Sequence, residues 1–294
     1  MSYRHLLGHL FCIFVILFWG MTFVSCKVLL ESFTPIEILF DRFLLATLVL
    51  IPFCLKALKF ISLKVELYSA LVGFCGVTLY FVFENNALIF SNASNVSLIV
   101  STAPFFVALF HCVIEKKFNL SINFFVGFIT AIAGIACLSI GSLSLQLNPL
   151  GDLLALGCAI VWGGYNFYVL KLEHEKIDTL TITVKSFIYA LVETVPFMYL
   201  YGYELKFDRI LEPINLVNFG FLAILASSVC FYIWNKAINL IGAIRTNVYL
   251  YATPVVTVIG AVICIDEKVT IYTILGMTLA IGGLVISQTK TQQD

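Results

Sequence analysis

Residues 235–287 read NKAINLIGAIRTNVYLYATPVVTVIGAVICIDEKVTIYTILGMTLAIGGLVIS, a run that is almost wholly apolar. A weaker copy occupies residues 85–140, and its first part aligns with the later copy without gaps at an offset of 150. The matched positions include an asparagine, an alanine and a proline: Asn85 with Asn235, Ala93 with Ala243, and Pro104 with Pro254. A repeated apolar block with a proline at one matched position indicates a membrane protein built by duplication.

The composition points to lipid as the main solvent. Of the 294 residues, 61% are hydrophobic and only 12% are charged, whereas soluble domains carry about 25% charged residues. So few charges cannot cover a soluble fold of this length, and we expect most of the chain to lie in a bilayer. The net charge of zero provides no field that would attract nucleic acid.

Ten apolar segments have the length of about 20 residues that crosses a bilayer. They are bounded by Pro, Gly, Asn and charged clusters and cover residues 6–27, 35–55, 67–89, 93–114, 121–141, 150–170, 180–201, 215–238, 243–264 and 270–288. The links between them are short. The sequence therefore predicts an all-α membrane protein with ten transmembrane helices.

The duplication also covers the earlier spans of each half. Its matches are Trp19-Gly20 with Trp162-Gly163 at an offset of 143, and Phe43 and Ala46 with Phe187 and Ala190 at an offset of 144. Each half, residues 1–146 and 147–294, then holds five spans. Because five is odd, the second half enters the membrane from the opposite side, which predicts two inverted five-helix repeats.

The distribution of basic residues predicts the orientation. With a cytoplasmic N-terminus, twelve of the 17 Lys and Arg residues fall on the inner side, including Lys56, Lys116, Lys117, Arg245 and Lys290. An excess of Lys and Arg on the cytoplasmic side is the usual arrangement. We therefore expect both termini in the cytoplasm.

The residues of both halves resemble the EamA family of the drug/metabolite transporter superfamily. The resemblance rests on Trp19-Gly20, on FDRFLLA at residues 40–46, on the A-L-x(4)-A-x(10)-P pattern from Ala87 to Pro104, on Thr253-Pro254, on Asp266-Glu267-Lys268 and on the Gly-rich last span. The resemblance implies a ten-helix bundle around a central cavity that opens to each side in turn. It also implies export of amino acids or related small metabolites, and a bacterial inner membrane as the location.

Polar and aromatic side chains inside the spans are the candidates for binding a small-molecule substrate. Charged groups in hydrocarbon are costly and usually functional, and aromatic walls with a few polar tips suit a small, partly apolar solute. The predicted substrate-binding residues are Trp19, Tyr80, Glu84, Asn85, Trp162, Tyr165, Asn166, Tyr232, Asn235 and Tyr249. Glu84 is also the candidate for coupling a proton to transport. For each, helix packing or lipid contact is the alternative role.

Two prolines and one adjacent charged pair complete the candidates. Pro104 and Pro254 lack a backbone donor and should kink spans four and nine, and we predict that these kinks act as hinges. Asp41 and Arg42 point about 100° apart on a helix, so they should pair with different helices; the alternative is an ion pair at the membrane surface that anchors the span.

Three alternative functions are less well supported by the sequence. A carrier for nucleotide sugars or other phosphorylated solutes needs several cations facing the cavity. An intramembrane enzyme is disfavoured because no HExxH, GxSxG or P-loop pattern and no metal-ligand cluster is present. A channel has less need of inverted repeats with kinked helices. No cofactor motif was found, and the sequence does not specify the oligomeric state.

Overall fold

The structure is a computed structural model that describes residues 3–115, 121–143 and 149–288. Within these ranges it is all-helical and contains no strand. The long helices, labelled in chain order, are α1 (Tyr3–Leu29), α2 (Pro35–Leu50), α3 (Leu63–Phe90), α4 (Ala93–Val100 and Ala103–Glu115), α5 (Ile122–Leu143), α6 (Pro149–His174), α7 (Thr179–Tyr201), α8 (Pro213–Ile241), α9 (Ala243–Ile265) and α10 (Ile271–Gln288).

Seven of these helices, considering the described residues alone, are long and apolar enough to cross a membrane. They are α1, α3, α4, α6, α7, α8 and α9. Helix α2 has 16 residues and is followed by two short 3-10 turns, Ile51–Phe53 and Leu55–Leu58. The described parts of α5 and α10 include shorter apolar helices. The predicted all-helical class is thus confirmed, while ten crossings stay a prediction.

The ends of several helices follow directly from local sequence. Thr34 caps α2 in a capping box with Glu37, and Pro35 occupies the first turn, where a missing backbone donor costs nothing. Asp178 caps α7, which ends at Gly202 in the left-handed conformation that glycine adopts without strain. These signals place the helix boundaries.

Two long helices contain π-helical segments, Phe74–Leu79 in α3 and Phe221–Val229 in α8. Two others are interrupted just before a proline. Helix α4 breaks at residues 101–102, ahead of Pro104, and in α9 the 3-10 segment Val248–Ala252 precedes Pro254. The interruptions lie where the proline removes a backbone donor.

The helices pack in a pattern that relates the two halves. Helix α1 packs on α8 and α9, while α6 packs on α3 and α4. Helices α5 and α10 pack on each other, and their backbones approach closely at Gly134 and Gly283. Gly134 faces the backbone of Gly276 and Ala280, and Gly283 faces the backbone of Gly127 and Ala131. Each of these contacts is the counterpart of the other under the offset of 149.

Hydrogen bonds repeat the same relationship. The Thr78 hydroxyl of α3 donates to the Ala190 carbonyl of α7 at 3.4 Å, and the Ser228 hydroxyl of α8 donates to the Ala46 carbonyl of α2 at 3.2 Å. Thr78 matches Ser228 at the offset of 150, and Ala46 matches Ala190 at 144. One interaction is therefore made twice, with the roles of the halves exchanged.

A buried ion pair fastens α3 to α7 near the link between α2 and α3. Lys185 Nζ lies 2.7 Å from Glu66 Oε2 and also donates to the Lys59 carbonyl at 2.9 Å. Glu66 accepts further hydrogen bonds from Tyr189 and from the Ile61 backbone. Because every oxygen of the carboxylate is engaged, the pair is well compensated for its burial.

Of the basic residues that predicted the orientation, Lys116, Lys117 and Lys290 lie outside the described residues.

Candidate functional site

A cavity lies between the two halves of the bundle, displaced toward the end that holds Leu29. It offers about 40 Å³ to the centres of water molecules, which is room for on the order of three waters. The lining side chains are mostly aromatic or hydroxyl-bearing and include one cation and one carboxylate: Trp19, Thr22, Phe23, Arg42, Tyr80, Phe81, Glu84, Ser97, Val100, Ser101, Ala103, Trp162, Phe231, Leu250 and Thr253.

Two tryptophans from matched positions form one wall. The rings of Trp19 on α1 and Trp162 on α6 meet edge to face, with centroids 5.5 Å apart and planes at 85°. The ring of Phe231 packs against the ring of Trp19, with their centroids 5.3 Å apart. Trp19 Nε1 donates to the Ala226 carbonyl in the π segment of α8 at 2.9 Å. This bond fixes the ring and leaves an aromatic surface toward the cavity.

Arg42 of α2 is the cation of the cavity, and its side chain is almost fully buried. Its Nε donates to Ser227 Oγ at 2.7 Å, and its guanidinium carbon lies 4.3 Å from the centre of the Phe81 ring. Its Nη1 has no hydrogen-bond partner within the described part of the chain. A guanidinium carries five N–H donors, so this one retains capacity to bind an acceptor.

Glu84 of α3 supplies the carboxylate, and its Oε1 is likewise buried without a described partner. The Tyr80 hydroxyl, one turn earlier, lies beside this carboxylate. Thr253 Oγ1, at the start of the second part of α9, is a third buried atom of the cavity with no described partner. Three of the eight such atoms found in the described residues thus line one small cavity. Buried polar groups are normally satisfied, so their concentration here indicates a site for a polar ligand.

A polar network lies beyond the tryptophans, toward the end of the bundle that holds His174. Trp162 Nε1 donates to Asn247 Oδ1 at 2.8 Å, and Asn247 Nδ2 donates to Asn166 Oδ1 at 2.7 Å. The Tyr165 hydroxyl donates to Asn235 Oδ1 at 2.5 Å. These bonds join α6 to α8 and α9, and they close the bundle on this side of the cavity.

The predicted binding residues divide into three groups. Trp19, Tyr80, Glu84 and Trp162 line the cavity. Tyr165, Asn166 and Asn235 belong to the network behind the tryptophans.

The remaining predicted residues lie further from the cavity. Asn85 donates a hydrogen bond to the Pro35 carbonyl, and the Tyr249 hydroxyl is hydrogen-bonded to His9. Tyr232 is half-buried on α8 and is not among the residues that line the cavity. The predicted hinge residues Pro104 and Pro254 each come directly after a residue that lines the cavity, Ala103 and Thr253 respectively.

The structure adds lining residues that the sequence did not assign to substrate binding, of which Arg42 is the most consequential. Its neighbour Asp41 accepts a hydrogen bond from Tyr203 at 2.7 Å, while Arg42 reaches Ser227. The two side chains do point to different partners, as their 100° separation predicts, but only Arg42 contacts another helix, because Tyr203 lies in the link that follows α7. The other added residues are uncharged, so no energetic cost of burying a charge set them apart from the rest of their spans in the sequence. They include Phe231, Ser97, Ser101 and Thr253.

The side chains of the cavity offer partners for both the acidic and the basic end of a small solute. An N–H donor of Arg42 and an acceptor oxygen of Glu84 both lack a partner in the part described, and aromatic side chains line the same cavity. Charge-assisted hydrogen bonds of this kind are the strong ones, and ring faces add apolar contact and attraction for cations.

Comparison with known proteins gives concordant results. The family model of the EamA-like transporter family matches residues 6–140 and again residues 149–289. An uncharacterized transporter of Archaeoglobus fulgidus is 27% identical, with 97% of this chain and 98% of that protein covered. A probable amino-acid metabolite efflux pump of Escherichia coli is 25% identical, with 93% of this chain and 92% of that protein covered.

A crystal structure of a protein with 17% sequence identity superposes with a TM-score of 0.69 over 96% of each chain, which supports the fold. Since the family model covers nearly the whole chain, once in each half, the chain belongs to the EamA-like transporter family.

Proposed function

We propose that this protein is a secondary carrier that exports amino acids or related small metabolites by alternating access through the aromatic-lined cavity. The observation that carries the proposal is the pair of unpartnered charged groups, Arg42 Nη1 and Glu84 Oε1, on one cavity between aromatic walls. An α-amino acid presents a carboxylate and an ammonium group, which complement these two side chains.

The size of the cavity supports a carrier that changes shape. Ligand pockets that bury most of a solute are normally several hundred Å³, whereas the space open to water here is about 40 Å³. Room for about three waters is too little for a whole amino acid. We therefore infer that a whole amino acid enters only when the helices around the cavity separate.

The repeated contacts support two inverted five-helix repeats, residues 1–146 and 147–294. The Thr78–Ala190 and Ser228–Ala46 hydrogen bonds are counterparts, as are the backbone contacts of Gly134 and Gly283. Repeats of opposite orientation around a shared central site are the usual basis of alternating access. Breaks ahead of Pro104 and Pro254 provide matched positions at which α4 and α9 can bend.

The proposal includes ten membrane crossings, both termini in the cytoplasm and a bacterial inner membrane as the location. The excess of Lys and Arg on one side of the predicted topology supports the orientation. The name of the Escherichia coli relative supports amino acids as the class of solute.

Glu84 is the proposed proton-coupling group, because a carboxylate in a membrane cavity that can exchange a proton can link it to substrate binding. Nucleotide sugars and other phosphorylated solutes are the second candidate. Arg42 is the one Lys or Arg side chain among the described lining residues, which is little compensation for a phosphate or diphosphate group. This observation favours amino acids.

The direct test is counterflow in proteoliposomes. Purified protein is reconstituted into liposomes loaded with one unlabelled amino acid from a panel, and uptake of the same labelled amino acid is followed with and without a pH gradient. We expect saturable counterflow for at least one amino acid. Glu84→Gln should reduce it about tenfold or more, since a hydrogen bond to a charged group contributes about 1.5–3 kcal/mol.

Asn86→Ala is the matched control for Glu84→Gln. Asn86 lies two residues away on the same helix, and its Nδ2 donates to the Val82 carbonyl of that helix at 2.7 Å. Counterflow by this variant should equal that of the wild type. The proposal is contradicted if no amino acid gives counterflow, and the proton-coupling part fails if Glu84→Gln transports normally and keeps the wild-type response to pH.

A further inference from the structure

We propose that Ser227 is a positioning residue that aims Arg42 into the cavity and thereby sets a preference for solutes that carry a carboxylate. The inference rests on the proposed function and extends it to a residue that does not itself line the cavity.

Arg42 is held between two partners from different helices. Ser227 Oγ on α8 accepts from Nε at 2.7 Å, and the Phe81 ring on α3 faces the guanidinium at 4.3 Å. Because the guanidinium is planar, fixing Nε on one side and a ring on its face determines where the terminal nitrogens point. Nη1 is left without a partner within the described residues, on a side chain that is 1% exposed and lines the cavity.

No described carboxylate competes for this cation by direct contact. The ion pairs found in the described residues, with nitrogen and oxygen within 4.0 Å, involve Lys56, Lys64, Lys185 and Lys206 and not Arg42. A neutral hydroxyl at Nε fixes the direction of the guanidinium without neutralising its charge. Glu84 lines the same cavity and attracts Arg42 through space without an ion-pair contact, so the unpartnered Nη1 remains available for an anionic group that enters the cavity.

The π segment of α8 explains why a hydroxyl reaches Arg42 at this point. Ser227 lies within Phe221–Val229, and the carbonyl of its neighbour Ala226 accepts the hydrogen bond from Trp19 Nε1. In a π turn the backbone bonds run to the fifth residue instead of the fourth, and such turns are frequent at functional sites. One segment thus supports both the cation and an aromatic wall.

The adjacent Ser228 provides a matched control. It is equally buried and lies in the same π segment, but its hydroxyl donates to the backbone carbonyls of Ala223 and Ala46. Removal of either hydroxyl creates the same small void in the same helix. Only removal of the Ser227 hydroxyl frees Arg42.

The experiment compares Ser227→Ala, Ser228→Ala and the wild type in proteoliposome counterflow with two probes, L-leucine and isopentylamine. The amine is leucine without its carboxylate, so the apolar part and the ammonium group are the same. We expect Ser227→Ala to raise the KM for L-leucine about tenfold with little change in the maximal rate. The half-inhibitory concentration of isopentylamine against L-leucine, corrected for the KM of each variant, should stay within about twofold of the wild-type value.

The outcomes separate the two proposals. If the wild type gives no saturable counterflow of L-leucine, the proposed function fails for this solute and the positioning role falls with it. If the wild type transports L-leucine but Ser227→Ala has the KM of Ser228→Ala, the positioning role alone is overturned. If Ser227→Ala binds L-leucine and isopentylamine more weakly by the same factor, the positioning role is also overturned, because a general structural defect does not distinguish the two probes.

Discussion

Trp19 and Trp162 meet edge to face across the centre of the bundle, with ring centroids 5.5 Å apart, and each comes from the same position of one half of the duplicated sequence. The two differ in their polar partners. Trp19 donates to the Ala226 backbone, whereas Trp162 donates to the Asn247 side chain. The wall of the cavity is therefore nearly symmetric in its rings and asymmetric in its hydrogen bonds.

Replacement of either ring should weaken solute binding. Trp19→Ala removes an aromatic face that lines the cavity, and attraction between such a face and the ammonium group of a solute contributes on the order of 1 kcal/mol. We expect the KM of the best amino-acid substrate in counterflow to rise about threefold to tenfold. Trp19→Phe keeps an aromatic ring, so its KM should lie between the KM of Trp19→Ala and that of the wild type. An unchanged KM in Trp19→Ala would show that the wall does not contact the solute.

The contact between α5 and α10 should tolerate no side chain at Gly283. A Cβ there would meet the backbone of Gly127 and Ala131, so Gly283→Ala forces the helices apart. Overpacking of this kind costs about 1–3 kcal/mol, which should lower the Tm in detergent. Gly282→Ala is the control, because a Cβ at the neighbouring position meets nothing within 4 Å. Equal Tm values for the two variants would contradict the close approach.

The Lys185–Glu66 pair should be costly to break on one side only. Lys185→Met leaves the Glu66 carboxylate buried with Tyr189 and the Ile61 backbone as its remaining donors. Loss of one partner of a buried pair costs about 3–5 kcal/mol, while replacement of both by apolar residues is often neutral. A second cavity, lined by Phe60 and Ile188, adjoins the pair and admits water. Because water can solvate the remaining carboxylate, we expect a cost near the lower end of this range. Thermal unfolding should show that Lys185→Met/Glu66→Leu is more stable than Lys185→Met.

Acid should weaken the start of α7. Burial alone would raise the pKa of Asp178, but hydrogen bonds from Lys56 and Thr181 outweigh it, and the pKa is lowered. A lowered pKa means that the carboxylate stabilises the fold above its unfolded pKa of about 3.9 and that this contribution is lost as the pH falls through the folded value. Asp178→Ala removes a helix cap and should cost about 1 kcal/mol at pH 7.

The Tm difference between Asp178→Ala and the wild type, measured in detergent from pH 7 to pH 3, should shrink at the acid end. Asp208→Ala, at an exposed position in the link before α8, is the reference for a general effect of charge. A Tm difference that is constant across this range would contradict a charge-dependent cap.

Much of the helix pattern could be predicted because it depends on local signals. The predicted segments 6–27 and 180–201 correspond to Tyr3–Leu29 and Thr179–Tyr201, whose ends follow hydropathy, caps and glycine. The predicted segment 35–55 extends too far, because Pro52 removes a donor and the helix gives way to 3-10 turns after Leu50. The π segments carry no comparable local signal, since they depend on packing between α3, α8 and their neighbours.

The cavity could be predicted only in part. Glu84 and the matched tryptophans were identifiable because a buried charge and a duplicated Trp-Gly pair are unusual in a span. Arg42 was harder to assign, since its neighbour Asp41 offered an ion pair at the membrane surface. Which of the two faces the cavity depends on the rotation of α2, and that rotation is set by the contacts with Ser227 and Tyr203.

The backbone-to-backbone seam of α5 and α10 has a mechanical consequence. At Gly134 and Gly283 the backbone of each helix lies directly against the backbone of the other, so the two helices cannot slide past each other there without steric clash. We therefore expect the two halves to rotate relative to each other about the α5–α10 contact, which stays in place. The breaks ahead of Pro104 and Pro254 would let α4 and α9 bend during this rotation.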